Sequence, residues 1–171
     1  MRKLALFVLI GFLAAFSAQA QTEKPIHEIH AAMIFNFLKY IQWPDEGAGG
    51  EFVVGVIGED DVFNTLKGYY DGKPKGSKKY AIKKISDPSE AASCSVVYIG
   101  KSRSKDFDNI KNATSGKPVL TITDSFNLGK KGSCINLKVI DGKLKFEINQ
   151  ASVTAASLKV SGQLTSMAIM I

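Results

Sequence analysis

Phe52–Gly58, FVVGVIG, and Cys94–Gly100, CSVVYIG, are two short runs, apolar almost throughout and rich in β-branched residues. Each reads as a buried strand of the kind found in parallel sheets. Two further strands fit beside them. Tyr80–Ile85 is less apolar, and Val119–Thr123 ends at Asp124. The segments between are helical in pattern. Glu59-Asp60-Asp61 precedes Val62, Phe63 and Leu66, and acidic residues suit the start of a short helix. Pro88–Ala92 predicts a helical turn, and Ser102–Thr114 a helix with Phe107 and Ile110 inward. Strands alternating with helices predict an α/β layered domain with a mainly parallel central sheet flanked by helices.

Working toward the C-terminus, Cys134–Ile140 and Lys143–Ile148 flank Asp141-Gly142. Alternating apolar and polar residues on either side of Asp-Gly predict an antiparallel hairpin. Ile135, Leu137 and Val139 share one face, as do Leu144, Phe146 and Ile148. The hairpin is expected to form an antiparallel edge. Phe126–Ser133 reads as a glycine-containing loop. Asn149 is placed to cap a helix over Ala151–Leu158, and Ser161 to cap a last helix over Gln163–Ile171.

Working toward the N-terminus, Ala31–Pro44, AAMIFNFLKYIQWP, is apolar on more than one stripe. On a helical projection His30, Met33, Ile34, Phe37, Leu38, Tyr40 and Ile41 form one broad face. Glu28, Asn36, Lys39 and Gln42 gather opposite, with Phe35 among them. Trp43-Pro44 is read as the helix end, because a residue before proline is pushed out of the α region. Phe35 either packs under a loop or marks a contact surface. Before this helix, Arg2 and Lys3, the apolar Leu4–Phe16 and the small-x-small Ala18-Gln19-Ala20 form a secretory leader. The expected organisation is a signal peptide over 1–20 and one α/β domain over 21–171, exported to the periplasm and not itself membrane-spanning.

The chain carries 22 Lys+Arg against 16 Asp+Glu, a net +6 that falls to +4 once Arg2 and Lys3 leave with the leader. The lysines are spread over loops, the mark of a solvated surface. Export sets nucleic acid aside as a partner. Cys94 and Cys134 are the two cysteines. Export permits a disulfide between them, and two buried thiols fit the sequence equally well.

No GxGxxG or Walker sequence is present. His27 and His30 have i, i+3 spacing without enough further ligands for a closed metal site. With no other histidine in the chain, a Ser-His-Asp triad is unreadable. Glu59, Asp60, Asp61 and Asp124 resemble the acidic cluster of a phosphoacceptor domain, a role that export opposes. Glu147 with Asp124 would be the carboxylate pair of an exported hydrolase, though neither has a supporting context. No catalytic, cofactor-binding or metal-ligating residue is assigned. In an open α/β sheet ligands sit past the carboxyl ends of strands, here Gly58-Glu59, Gly100-Lys101-Ser102 and Asp124-Ser125. An anionic or nucleotide-like small ligand at that crevice is the alternative function.

Five segments together resemble the YfiR family of periplasmic proteins. They are Ala31–Pro44, Phe52–Leu66, Cys94–Ser102, Pro118–Leu137 and Leu144–Ala168. The most specific parts are Asn36…Trp43-Pro44, Phe146-Glu147-Ile148-Asn149 and Leu158-Lys159-Val160-Ser161. The resemblance implies a non-enzymatic, homodimeric regulator. Such a regulator docks on the periplasmic domain of an inner-membrane diguanylate cyclase or sensor kinase, and an outer-membrane lipoprotein relieves it. The pathway implied is cyclic-di-GMP signalling. Nucleotide and other small-molecule binding is also attributed to the family. The chain departs from members with two disulfides, since it has fewer cysteines, and Ser95 stands where a histidine is common. The candidate partner or ligand contacts, from the strand ends and from the resemblance, are Phe35, Asn36, Lys39, Trp43, Ser102, Asp124, Phe146, Glu147 and Asn149.

Overall fold

A computed structural model describes residues 24–44 and 49–171. The leader expected over 1–20 lies outside the described residues. The two apolar runs FVVGVIG and CSVVYIG are neighbours at the centre of the sheet. β2 (Gly50–Ile57) pairs in parallel with β5 (Val96–Ile99) on one side and with β4 (Lys78–Lys84) on the other. β6 (Leu120–Thr123) continues the parallel array beyond β5, and β7 (Ile135–Ile140) follows it. These five strands lie in the order β4-β2-β5-β6-β7. That is the 2-1-3-4-5 order of a doubly wound sheet.

Both faces are covered, which is why the central strands are apolar throughout. On one face lie α1 (Ile26–Tyr40) and α2 (Asp60–Tyr70), whose Ile34, Phe37, Leu38, Val62 and Leu66 meet Val54, Val56, Tyr98, Leu120 and Ile122. The 3-10 turn Pro88–Ser93 and α3 (Phe107–Thr114) cover the other face. There Ala91, Phe107 and Ile110 meet Ile57, Val97 and Ile99. Gly55 sits under this second layer, where a Cβ would come within 2.8 Å of the Cys94 sulfur.

The hairpin forms as expected from Asp-Gly. β7 pairs antiparallel with β8 (Lys143–Ile148), and Asp141 and Gly142 both adopt positive φ, 50° and 70°. It is not the edge of the sheet, however. The C-terminal segment expected as helix through Ile171 divides into α6 (Gly162–Thr165) and a two-residue strand, β10 (Ile169–Met170). β10 pairs in parallel with β8 and takes the edge. The far edge is the short β3 (Pro74–Lys75), antiparallel to β4.

Two more expectations are corrected. α1 stops at Tyr40, before Trp43-Pro44, because Ile41–Gln42 (β1) pairs antiparallel with Lys159–Val160 (β9). The segment 126–133 holds a short helix, α4 (Leu128–Lys131), between left-handed residues at Asn127 and Gly132. The two caps are where the sequence puts them. The Asn149 side chain accepts from Ser152 N at the start of α5 (Gln150–Ala155), and Ser161 Oγ accepts from Leu164 N. Both cysteines are unpaired thiols, Cys94 in one core layer and Cys134 in the other. The disulfide alternative is thereby closed.

Candidate functional site

The doubly wound order puts the expected ligand crevice between the carboxyl ends of β2 and β5. The chain's own side chains fill it. A Cβ at Gly100 would overlap Glu59, and one at Gly58 would lie 2.7 Å from Arg103 and 2.8 Å from Ser102. Ser102 donates its hydroxyl to Gly58 O. Arg103 pairs with Asp106 and donates to Ser86 O at 3.1 Å.

The open space lies one strand further along. β6 ends at Thr123 while β7 and β8 run on, so the sheet has a notch beside the hairpin. A cavity of about 480 Å³ occupies it, lined by Asp124, Ser125, Phe126, Asn127, Lys130, Leu137, Lys138, Val139 and Glu147. Phe126 at 93% and Val139 at 65% are the most exposed of the large apolar residues, and both stand at this notch.

Two buried polar chains form its walls. In the first, Tyr98 OH donates to Asp124 Oδ2 at 2.9 Å, and His30 Nδ1 of α1 lies 3.0 Å from the same hydroxyl. With the phenol proton on Asp124, the imidazole is the donor to Tyr98. Burial pushes the Asp124 carboxyl up, against the Tyr98 hydrogen bond and the charge of Lys101. Burial also pushes the Tyr98 phenol up, with Asp124 adding to the effect, and lowers His30 against the pull of Glu59. Asp124 Oδ1 and Ser125 Oγ are buried without a hydrogen-bond partner of ordinary geometry.

In the second chain, Thr123 Oγ1 donates to Asn136 Oδ1 at 2.7 Å, and Asn136 Nδ2 donates to Glu147 Oε2 at 3.1 Å. Lys138 Nζ donates to Glu147 Oε1 at 2.7 Å. Burial raises the Glu147 carboxyl, but Lys138 and Asn136 outweigh it and hold the group below the usual carboxylate range. Gly129 lies over Glu147 so closely that a Cβ there would come within 2.7 Å of Oε2. Asn149 ties that glycine down, donating from Nδ2 to Gly129 O at 2.9 Å.

A family model described as DUF4154, YfiR/HmsC-like, matches residues 27–169. The chain belongs to the YfiR/HmsC-like family. Among solved structures, a conserved domain protein from Vibrio cholerae O1 biovar El Tor str. N16961 is similar at a TM-score of 0.56 and 9% identity. That match covers 84% of this chain and 59% of the other, and at this identity it is a likeness of fold. The ABC domain in complex with L-Trp from Streptococcus pneumonia matches at a TM-score of 0.49 and 7% identity, over 70% of this chain and 55% of that one.

The residues singled out in this YfiR/HmsC-like sequence do not form one site. Asp124 and Glu147 share the notch. Asn149 adjoins it through Gly129. Phe146 is buried and its ring meets Phe37 at 4.9 Å between centroids. Phe35 is half-buried and stacks on Tyr70 of α2 at 3.8 Å, with Lys39 over its other side and Asn36 accepting from Lys39. Trp43 lies at the opposite, amino end of the sheet, donating its indole N–H to Ser95 O at 3.1 Å beside a separate cavity of about 160 Å³. Ser102 belongs to the filled crevice. Sequence reasoning missed Tyr98, Phe126, Asn136, Lys138 and Val139, and gave His30 only as a core or metal candidate. Register counting from Asp141-Gly142 would have found two of them, because it sets Asn136 opposite Glu147 and Lys138 two residues further along the same face.

Among the described residues no helix is long and apolar enough to cross a membrane, and no group of His, Cys, Asp and Glu could hold a metal ion. Both oxygens of Glu147 and Oδ2 of Asp124 accept hydrogen bonds, from Asn136, Lys138 and Tyr98. The notch combines apolar contact from Phe126, Leu137 and Val139 with a polar wall in which Asp124 Oδ1 and Ser125 Oγ stay unpaired.

Proposed function

We propose that this chain is an exported regulator that docks on the periplasmic domain of an inner-membrane signalling protein, a diguanylate cyclase or sensor kinase, and so acts on cyclic-di-GMP-type signalling. The family match over residues 27–169 carries the reading. The family resemblance implies regulation rather than catalysis, and the leader-like residues 1–20 agree with export. A homodimer and an outer-membrane lipoprotein that relieves the restraint complete the proposal. At the ends of β2 and β5 Glu59, Ser102 and Arg103 crowd the glycines, so the small-ligand alternative would have to use the cavity beside Asp124 and Ser125. The test is deletion of the gene in its native host, with cyclic di-GMP measured and in-cell crosslinking of the full chain. A several-fold rise in the dinucleotide and a crosslink to an inner-membrane sensor are expected. Unchanged levels, with no membrane protein crosslinked, would overturn the reading.

A further inference from the structure

The notch beside the hairpin is also an unfinished ladder. Ile140 faces Lys143 across the two-residue turn, and Asn149 N donates to Cys134 O at 3.0 Å. Pairs in an antiparallel ladder alternate between bonded and non-bonded. Cys134, Asn136, Lys138 and Ile140 therefore exchange main-chain bonds with β8. The odd residues Ile135, Leu137 and Val139 direct their N–H and C=O groups the other way. β6 meets this outer side only at Ile122 opposite Ile135 and Thr123 opposite Asn136. It then leaves the sheet at Asp124, and the chain turns into α4. The outward N–H and C=O of Val139 are left on an open edge, and the cavity lies along it. Phe126, 93% exposed, stands beside that edge.

Charge decides what fits. The Glu147 carboxylate is neutralised within the wall by Lys138 and Asn136. The exposed charges around the notch and on the hairpin are Lys130, Lys143 and Lys145, with Asp141 at the tip, while the mostly buried Asp124 carboxyl at the notch is hydrogen-bonded by Tyr98. A strand added outside β7 would present alternate side chains to its two faces. One set would lie with Leu137 and Val139, the other beside Lys138 and Lys145.

We propose that the open edge of β7 at Leu137–Ile140 takes an extended, acidic segment of a protein partner as an added strand, with apolar residues at alternate positions. Main-chain bonds to Val139 would supply affinity, and the lysines and Phe126 would select the segment. The inference rests on the docking reading above and names the surface it uses.

The test is nuclear magnetic resonance on the full secreted chain. The probe is a capped seven-residue peptide alternating valine and glutamate, with its lysine-for-glutamate counterpart as control. Expected are at least tenfold slower hydrogen exchange at the Val139 amide, shifts confined to 124–127 and 137–140, and at least tenfold weaker binding of the lysine peptide. Val139→Pro removes an outward N–H while sparing the bonds to β8, so it should fold and bind at least tenfold less well. Phe126→Asp, on an exposed loop, gives a second variant should the proline disturb the hairpin. Unprotected Val139, equal binding of the two peptides, or full binding by both variants would overturn the proposal. So would a Val139 amide already protected without peptide and released on dilution, because a second copy would then cover the edge. If the membrane crosslink forms unchanged in both variants, this surface assignment falls and the docking reading stands. Loss of the crosslink in the parent chain removes the docking reading instead.

Discussion

Glu147 is a carboxylate only 5% exposed that stays charged because two neighbours point protons at it. A group held below its ordinary value of 4.5 contributes stability that is complete above that value and disappears as pH falls through the folded value. Lys138 is the stronger of the two supports. Lys138→Ala leaves the carboxylate with one donor, and burial then drives its titration upward. The expected loss at neutral pH is about 1–3 kcal/mol, below that of a wholly buried pair because Lys138 is partly solvated. Acid unfolding should begin at higher pH in the variant than in the parent. Urea denaturation at pH 7 and a circular dichroism titration from pH 7 to 3 measure both effects. Equal acid midpoints would show that Lys138 does not hold the carboxylate down. His30, Tyr98 and Asp124 pose a different question of legibility. They come from three elements, 68 and 26 positions apart in the chain, and no local pattern joins them. The sequence places His30 on the core face of its helix and Asp124 at a strand end. Their meeting on one phenol is a product of sheet order.

Elements with a local cause were readable, and those with a tertiary cause were not. The hairpin follows from a dipeptide that accepts positive φ at both positions and from alternation on either side. The end of α1 does not follow from Trp43-Pro44. Ile41 leaves the helix because Val160 is there to pair with it, and β9 is about 120 residues away by the register. The last segment likewise carries Leu164, Met167 and Ala168 at helical spacing, yet 169–170 joins β8 because the parent sheet has an unpaired side there. α5 is the local case in its plainest form, since Asn149 both caps it and holds Gly129. Asn149→Ala should cost about 1–2 kcal/mol for the cap, and Asn149→Asp should retain the cap but lose the bond to Gly129 O. Thermal unfolding of the three proteins should therefore rank parent, Asp, Ala. An alanine variant as stable as the parent would mean that the cap is replaced by water.

At the scale of the molecule, the two apolar runs dictate a sheet buried on both faces, and that sheet separates the cysteines. A strand such as FVVGVIG cannot tolerate water on either side, so one helical layer must cover Val54 and Val56 and another must cover Gly55 and Ile57. Cys94 seats its sulfur over Gly55 in the second layer, and Cys134 lies in the first. Spacing along the chain could not distinguish this from a disulfide, because layer membership depends on which face each strand end turns toward. Burial pushes both thiols up, so neither is a ready thiolate. The native protein, even after incubation in an oxidising buffer, should therefore show two free thiols by mass after alkylation in guanidinium. It should show almost none reacting with a thiol reagent in buffer over the time that exposes a surface cysteine. The reaction in buffer should follow the opening of the sheet and accelerate in Gly55→Ala, whose Cβ would displace the Cys94 sulfur. A chain that takes up no alkyl groups under denaturing conditions and weighs two units less than the unmodified dithiol form would put a disulfide through the sheet and refute the layered arrangement. Equal labelling rates in parent and variant would separate Cys94 from Gly55.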